Sequence, residues 1–162
     1  MPVNAIPDGY RGVTPYLIVK NAAAAIDFYK QAFAAEELHR MPMPGGKIGH
    51  ADLTIAGAHV MLADEMPEHG ALSPESLNGS PVGLLLYVND VDARFNQAIA
   101  AGAKVLRAVQ DQFYGDRSGT LMDPFGHKWT LATHVEDVPV EEMQRRMKQW
   151  MQQGGCAEEA GS

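Results

Sequence analysis

The stretch YGDRSGTLMDPFGHKWTLATH, Tyr114 to His134, gathers Asp116, Arg117, Asp123, His127 and His134 in one short span. Histidines and acids at such spacing suit a metal site or an acid–base pair, and Arg117 suits a bidentate grip on a carboxylate or phosphonate. The same residues are also what two strands and a turn carry as ordinary surface charge. A second candidate is His50, which lies with Asp52 in the alternating segment KIGHADLTI. Which chemistry survives depends on the elements that hold these side chains.

The chain has 162 residues, 46% of them hydrophobic, enough for one globular unit or two small fused modules. Its one cysteine, Cys156, leaves no intrachain disulfide and suits a reducing compartment. No apolar run approaches the roughly 20 residues of a membrane span, and the opening MPVNAIPDGYRG lacks the pattern of a signal peptide. Cytoplasm is therefore the expected location. A net charge of −7 with no Lys/Arg-rich block argues against nucleic acid as a partner.

Strands and helices alternate along the chain. Val13–Val19 is apolar and β-rich, and Asn21 then caps a helix whose Ile26, Tyr29 and Phe33 form one buried stripe. Strands are expected at Glu37–Met43, Lys47–Ile55 and His59–Asp64, punctuated by Gly45-Gly46 and Gly57. Glu65–Pro81 is rich in proline and glycine, has no periodicity and reads as a linker. The order then restarts: a strand at Val82–Val88, a helix capped by Asp90 and stopped by Gly102, and strands at Lys104–Val109, Gly119–Met122 and Lys128–Thr133. Val140–Gln153 is a separate amphipathic helix.

The restart is an internal repeat at an offset of 69 residues, carrying Val19 to Val88, Asn21 to Asp90 and Gly57 to Gly126. The expected class is α+β: two βαβββ modules (12–65 and 82–138) forming curved mixed sheets around a cleft, with helices on the outer faces. A linker at 66–81, a C-terminal amphipathic helix at 139–153 and a disordered tail at 154–162 complete the division. Leu53 and Ile55 should pack under the helix, so period 2 sends His50, Asp52 and Thr54 to the cleft. There His50 is either a general base or hydrogen-bond donor to a ligand, or a solvent-facing or internally paired histidine.

With DPFGHKWTLATHVEDV closing the second half and TPYLIVKNAAAAIDFYKQAF opening the first, the chain resembles the glyoxalase/bleomycin-resistance/dioxygenase superfamily, also called vicinal oxygen chelate proteins. GDRSGTLMDPFGHKWTLATH is similar to its PhnB-like branch. The resemblance implies metal-ligand positions on the first and last strands of each half. They fall on Thr14, Met61, Gly83 and Thr130. Glycine offers no donor, a thioether is soft, and two hydroxyls do not make a site for a divalent ion. By the same parity Tyr16 and Ile18 share the face of Thr14, and Leu85 and Tyr87 that of Gly83, giving a mostly apolar cleft with a few hydroxyls.

The other polar residues divide as follows. His59 is expected at a solvent-exposed hairpin end, and Asp64 and Glu65 as surface charge. Tyr114 and Arg117 are expected in the cleft wall with Asp116 as partner; the competing reading is an Asp116–Arg117 pair that holds a loop or bridges a dimer. Asp123, Pro124 and Gly126 are turn chemistry, with His127 solvated at the tip. Trp129 points away from the cleft, and His134, Glu136 and Asp137 lead into the last helix.

These readings favour a metal-independent, cofactor-free small-molecule binding protein of the drug-sequestering kind, a homodimer in the manner the resemblance implies. Its ligand-binding residues would be Thr14, Tyr16, His50, Asp52, Met61, Leu85, Tyr87, Tyr114, Arg117 and Thr130. The alternative is a lyase, isomerase or dioxygenase-type enzyme using a relocated metal or His50 as base. A structural dimer without ligand, built on the C-terminal helix, is the third.

Overall fold

The computed structural model describes residues 3–155. The first half runs β1 (Tyr16–Val19), α1 (Ala22–Phe33), β2 (Glu36–Pro42), β3 (Ile48–Ile55) and β4 (Ala58–Asp64). Its sheet has the order β1-β4-β3-β2, with β1 parallel to β4 and the other pairs antiparallel. A short helix α2 (Pro74–Leu77) lies between the halves. The second half repeats the scheme with β5 (Gly83–Tyr87), α3 (Val91–Ala100), β6 (Lys104–Asp111), β7 (Asp116–Met122) and β8 (Lys128–His134), in the order β5-β8-β7-β6. The helix α4 (Val140–Gln152) follows.

Local chemistry starts these elements where the repeat requires. Asn21 accepts from the Ala24 amide at 3.1 Å, and Asp90 accepts from the Ala93 amide at 3.0 Å, each satisfying one orphan donor of its helix. The hairpin glycines Gly57 and Gly126 both take the left-handed region, at φ 81° and 90°, where a side chain would be strained. Register repeats as well. Tyr16 pairs with Met61, and Leu85 with Thr130, each partner 69 residues beyond its counterpart.

Ile26, Tyr29 and Phe33 are buried along α1 as the stripe requires, and Val91, Phe95 and Ala98 play that part on α3. The two helices pack on each other. Trp129 of the second sheet sits with its ring 4.6 Å from Phe33 and 5.5 Å from Tyr29, and Phe125 sits 6.1 Å from Phe28. The helix-covered faces of both sheets thus feed one continuous core, and each aromatic pair adds about 0.5–1.5 kcal/mol beyond its burial. At this joint Asp123, buried in the β7–β8 turn, accepts from Tyr29 Oη at 2.7 Å and Trp129 Nε1 at 3.0 Å. Its other oxygen takes the Phe125 and His127 amides. The turn residue expected from the Asp-Pro pair therefore also ties the halves together.

Three polar residues expected at the surface are held inside. Asp64 accepts from the amides of Ala22 at 3.0 Å and Ile48 at 2.7 Å; it caps the start of α1 and the start of β3 at once, which keeps its carboxylate buried. His127 is buried because its Nε2 donates to the Ile18 carbonyl in the other half, 3.2 Å away. His59 is drawn onto Asp52, as described below. The stretch between the halves is also less loose than its composition suggests. Ser73 caps α2, and the Glu65 carboxylate accepts from Ser73 N and Ser76 Oγ. The Ser73 side chain, then the Ser73 amide and the Ser76 hydroxyl, lower the Glu65 pKa to about 2. Gly154 and Gly155 form a turn closing α4; the rest of the expected tail, 156–162 with Cys156, lies outside the described residues.

Candidate functional site

Each sheet presents the face away from its helix as an open concave surface. On the first sheet, period 2 puts Ala51, Leu53 and Ile55 in the core and turns His50, Asp52 and Thr54 to the concave side. Asp52 pairs across the sheet with Met61. It is 2% exposed, a carboxylate sunk in the middle of the face. His59, from the start of β4, donates Nδ1 to both Asp52 oxygens at 3.0 and 3.1 Å. Tyr10, from the segment before β1, donates its hydroxyl to Asp52 and stacks its ring on His59 at 3.9 Å. Burial pushes the Asp52 carboxyl up, but the Tyr10 and His59 bonds outweigh it and hold the pKa below the usual carboxylate range. Nearby, Tyr16 Oη lies 2.8 Å from His50 Nδ1, and the His50 ring centroid is 5.3 Å from that of His39.

On the second sheet the register Thr120 to Thr130 and Ser118 to Ala132 turns Asp116, Ser118 and Thr120 to the concave side. Asp116 is buried and accepts from Tyr87 Oη at 2.6 Å and His134 Nδ1 at 2.8 Å. His134 Nε2 donates to Asp137 at 2.9 Å. Asp116, and after it Asp137, raise the His134 pKa, and the bond to Asp116 raises that of Tyr87. Tyr87, Tyr114, Asp116 and His134 floor an open-sided groove of about 670 Å³, walled by Phe113 and by Val140, Met143 and Met147 of α4. The helix is held there by two bonds from Arg146 to Glu136, at 2.8 and 2.7 Å, and by Trp150 against Phe113.

Arg117 departs from the expected cleft wall. Its guanidinium grips Asp92 at the start of α3, at 2.7 and 2.8 Å, and Asp111 at 3.0 Å, on the helix side of the sheet. Adjacent strand residues face opposite ways, so with Asp116 turned to the concave side Arg117 must leave it; nor do the two pair with each other. Tyr114 does line the groove.

The remaining expected residues fall on the concave faces. Tyr16, Leu85 and Tyr87 are 47%, 58% and 53% exposed there. Thr14, Met61 and Thr130 are half-buried and Gly83 exposed, and Thr130 Oγ1 sits 3.2 Å from Thr120 Oγ1. A Cβ built on Gly83 would meet nothing nearer than Lys128 at 3.8 Å, so that position has room but no donor. A divalent ion does not fit this donor set of two hydroxyls, a thioether and a glycine. Pattern reading missed Tyr10 and His134 as members of the concave faces, and preferred an exposed hairpin end for His59 although its spacing of two from Met61 also allows it to face inward. Tyr10 lies outside any periodic segment, and the histidines sit near the start of β4 and at the end of β8, where alternation from Met61 and Thr130 carries them to the concave faces.

A family model described as the Glyoxalase/Bleomycin resistance protein/Dioxygenase superfamily matches residues 12–131. The chain is 47% identical over 150 residues to the Mycobacterium tuberculosis protein Rv0887c, covering 91% of this chain and 86% of that one. Among solved structures it is similar to TioX from Micromonospora sp. ML1, with a TM-score of 0.61 and 29% identity over 78% of this chain and all of that one (100%). It shares its fold with the PhnB protein of Bacillus cereus, at a TM-score of 0.60 and 20% identity, over 76% of this chain and 99% of the other.

Proposed function

The chain belongs to the Glyoxalase/Bleomycin resistance protein/Dioxygenase superfamily, and from that premise we propose that it is a metal-independent small-molecule binding protein acting as a homodimer. The observation that carries this reading is the donor set Thr14, Met61, Gly83 and Thr130 at the superfamily's ligand positions, on faces whose other lining is apolar residues, hydroxyls and carboxylates already paired with histidine and tyrosine. A face of that composition binds by shape and apolar burial, with a few hydroxyls fixing orientation. The binding set is the expected one less Arg117, which is committed to Asp92 and Asp111. The resemblance of the closing segment GDRSGTLMDPFGHKWTLATH supports assigning the chain to the PhnB-like branch.

The dimer follows from what the single chain leaves uncovered. The helices fill the joint between the halves, so the concave faces stay open, with Tyr16, Leu85 and Tyr87 half exposed. A second copy that sets its second half over the first half of its partner closes both faces into clefts and removes that apolar surface from water. Light scattering should return twice 17.6 kDa.

The test is a thermal-shift screen of aromatic and cationic compounds, run with and without a chelator and paired with metal analysis of the purified protein. Stabilisation by a ligand that the chelator leaves untouched is the expected result. Stoichiometric zinc, nickel or iron whose removal abolishes an activity would overturn the reading. It would favour a lyase, isomerase or dioxygenase-type enzyme instead, for which the Tyr16–His50 contact at 2.8 Å offers a base with a proton partner.

A further inference from the structure

The segment ahead of β1 lies across the first concave face as an arm, and one side chain fastens it. Val3, Ile6 and Val13 are 91%, 69% and 99% exposed, so the arm's apolar residues bury little. Among its described residues before Pro15, the arm's backbone bonds within its own turn, with Tyr10 N donating to Pro7 O at 3.2 Å. Among the described residues of the arm, Tyr10 is the one whose side chain hydrogen-bonds to the sheet. What it grips is built into the sheet: a carboxylate 2% exposed, oriented by His59, whose imidazole also forms the flat surface under the phenol ring. Gly9 lets the arm approach this closely, since a Cβ there would come within 2.6 Å of His59 Nε2.

The second half builds the same recognition with its own phenol. Tyr87 donates to the buried Asp116, and His134 donates to the same carboxylate. There the phenol is part of β5 and cannot leave. In the first half it comes from a segment outside the sheet.

We propose that the Asp52–His59 pair is a binding site for an aromatic hydroxyl, and that Tyr10 is the chain's own occupant, displaced when a phenolic ligand enters the first concave face. The inference rests on the reading of the concave faces as a ligand cleft and names the ligand class of one part of it. The chemistry is specific: the ring stacks on the imidazole while its hydroxyl donates to a buried carboxylate, a charge-assisted bond that an unsubstituted ring cannot make. Tethering sets Tyr10 at a high effective concentration, so the free ligand competes against it.

The probe is p-cresol, the free form of the tyrosine side chain, with toluene as its hydroxyl-free counterpart. In the full-length chain Tyr10→Ala should bind p-cresol about tenfold more tightly than the unaltered protein, because the competitor is gone. The same variant should bind toluene about tenfold more weakly than p-cresol, since a hydrogen bond to a charged acceptor is lost. In the unaltered protein, saturating p-cresol should speed tryptic cleavage after Arg11 by freeing the arm. Tyr10 sits on an arm outside the core, so the variant keeps the fold. Equal p-cresol affinity with and without Tyr10, or toluene binding as tightly as p-cresol, overturns the inference. The cleft reading itself stands or falls on the compound screen, where any chelator-insensitive ligand sustains it whatever becomes of Tyr10.

Discussion

Replacing Asp123 by alanine should be among the most damaging single changes in the chain, although the residue sits in a turn. Its carboxylate is 4% exposed and takes four donors: Tyr29 Oη at 2.7 Å, Trp129 Nε1 at 3.0 Å, and the amides of Phe125 and His127 at 2.9 Å each. Hydrogen bonds to a charged acceptor are worth about 1.5–3 kcal/mol each, but four on one group are not additive. The two turn amides can recover water when the turn relaxes, whereas the Tyr29 hydroxyl and Trp129 indole lie inside the joint and are left without an acceptor. The expected loss is therefore about 3–5 kcal/mol, from about 1–3 kcal/mol for each of the two buried donors left unsatisfied. For a chain of this length that lowers Tm by roughly 6–20 °C. Urea and thermal melts of Asp123→Ala, Tyr29→Phe and the double variant measure it, and the cycle isolates the bond between the halves. A loss below about 1 kcal/mol for Asp123→Ala, or a double variant equal to the sum of the singles, would refute the claim that this carboxylate ties α1 to the second sheet.

Arg117→Ala should leave ligand binding in the cleft unchanged and cost little stability, as solvent-screened ion pairs do; calorimetry with a ligand from the screen checks the first and a urea melt the second, and a large loss of affinity would return Arg117 to the cleft. His134 should titrate above its ordinary value of 6.5, because Asp116 and then Asp137 favour its cation. A raised folded-state pKa means that this stabilisation is complete below pH 6.5 and fades as pH rises through the folded value. Proton NMR of the His134 ring should show the raised midpoint, and Asp116→Asn should bring it down; a midpoint at or below 6.5 would contradict the contacts.

The alternation of apolar residues placed the strands within a few residues and sorted β3 correctly, because Leu53 and Ile55 must meet the helix stripe and Asp52 must then turn away. Asn21 and Asp90 were readable as caps because capping is local chemistry, settled within three residues. Arg117 was misplaced because facing on β7 depends on its register with β8, and the register between two strands is not written in either strand alone. His127 and Asp64 were misjudged for a related reason. Each is buried by a backbone group far along the chain, the Ile18 carbonyl and the Ile48 amide, and a propensity for exposure contains no information about such partners. Tyr10 left no pattern, because an arm held by one side chain needs no periodicity.

The placement of the two tryptophans makes the molecule its own optical gauge. Trp129 is 3% exposed between Tyr29 and Phe33, where the halves meet, while Trp150 stands half-buried on Phe113 where α4 docks. Emission from the first should be blue-shifted and shielded from acrylamide, and from the second red-shifted and readily quenched. Removing one indole at a time would let the same spectrum report separately on parting of the halves and on lifting of the last helix.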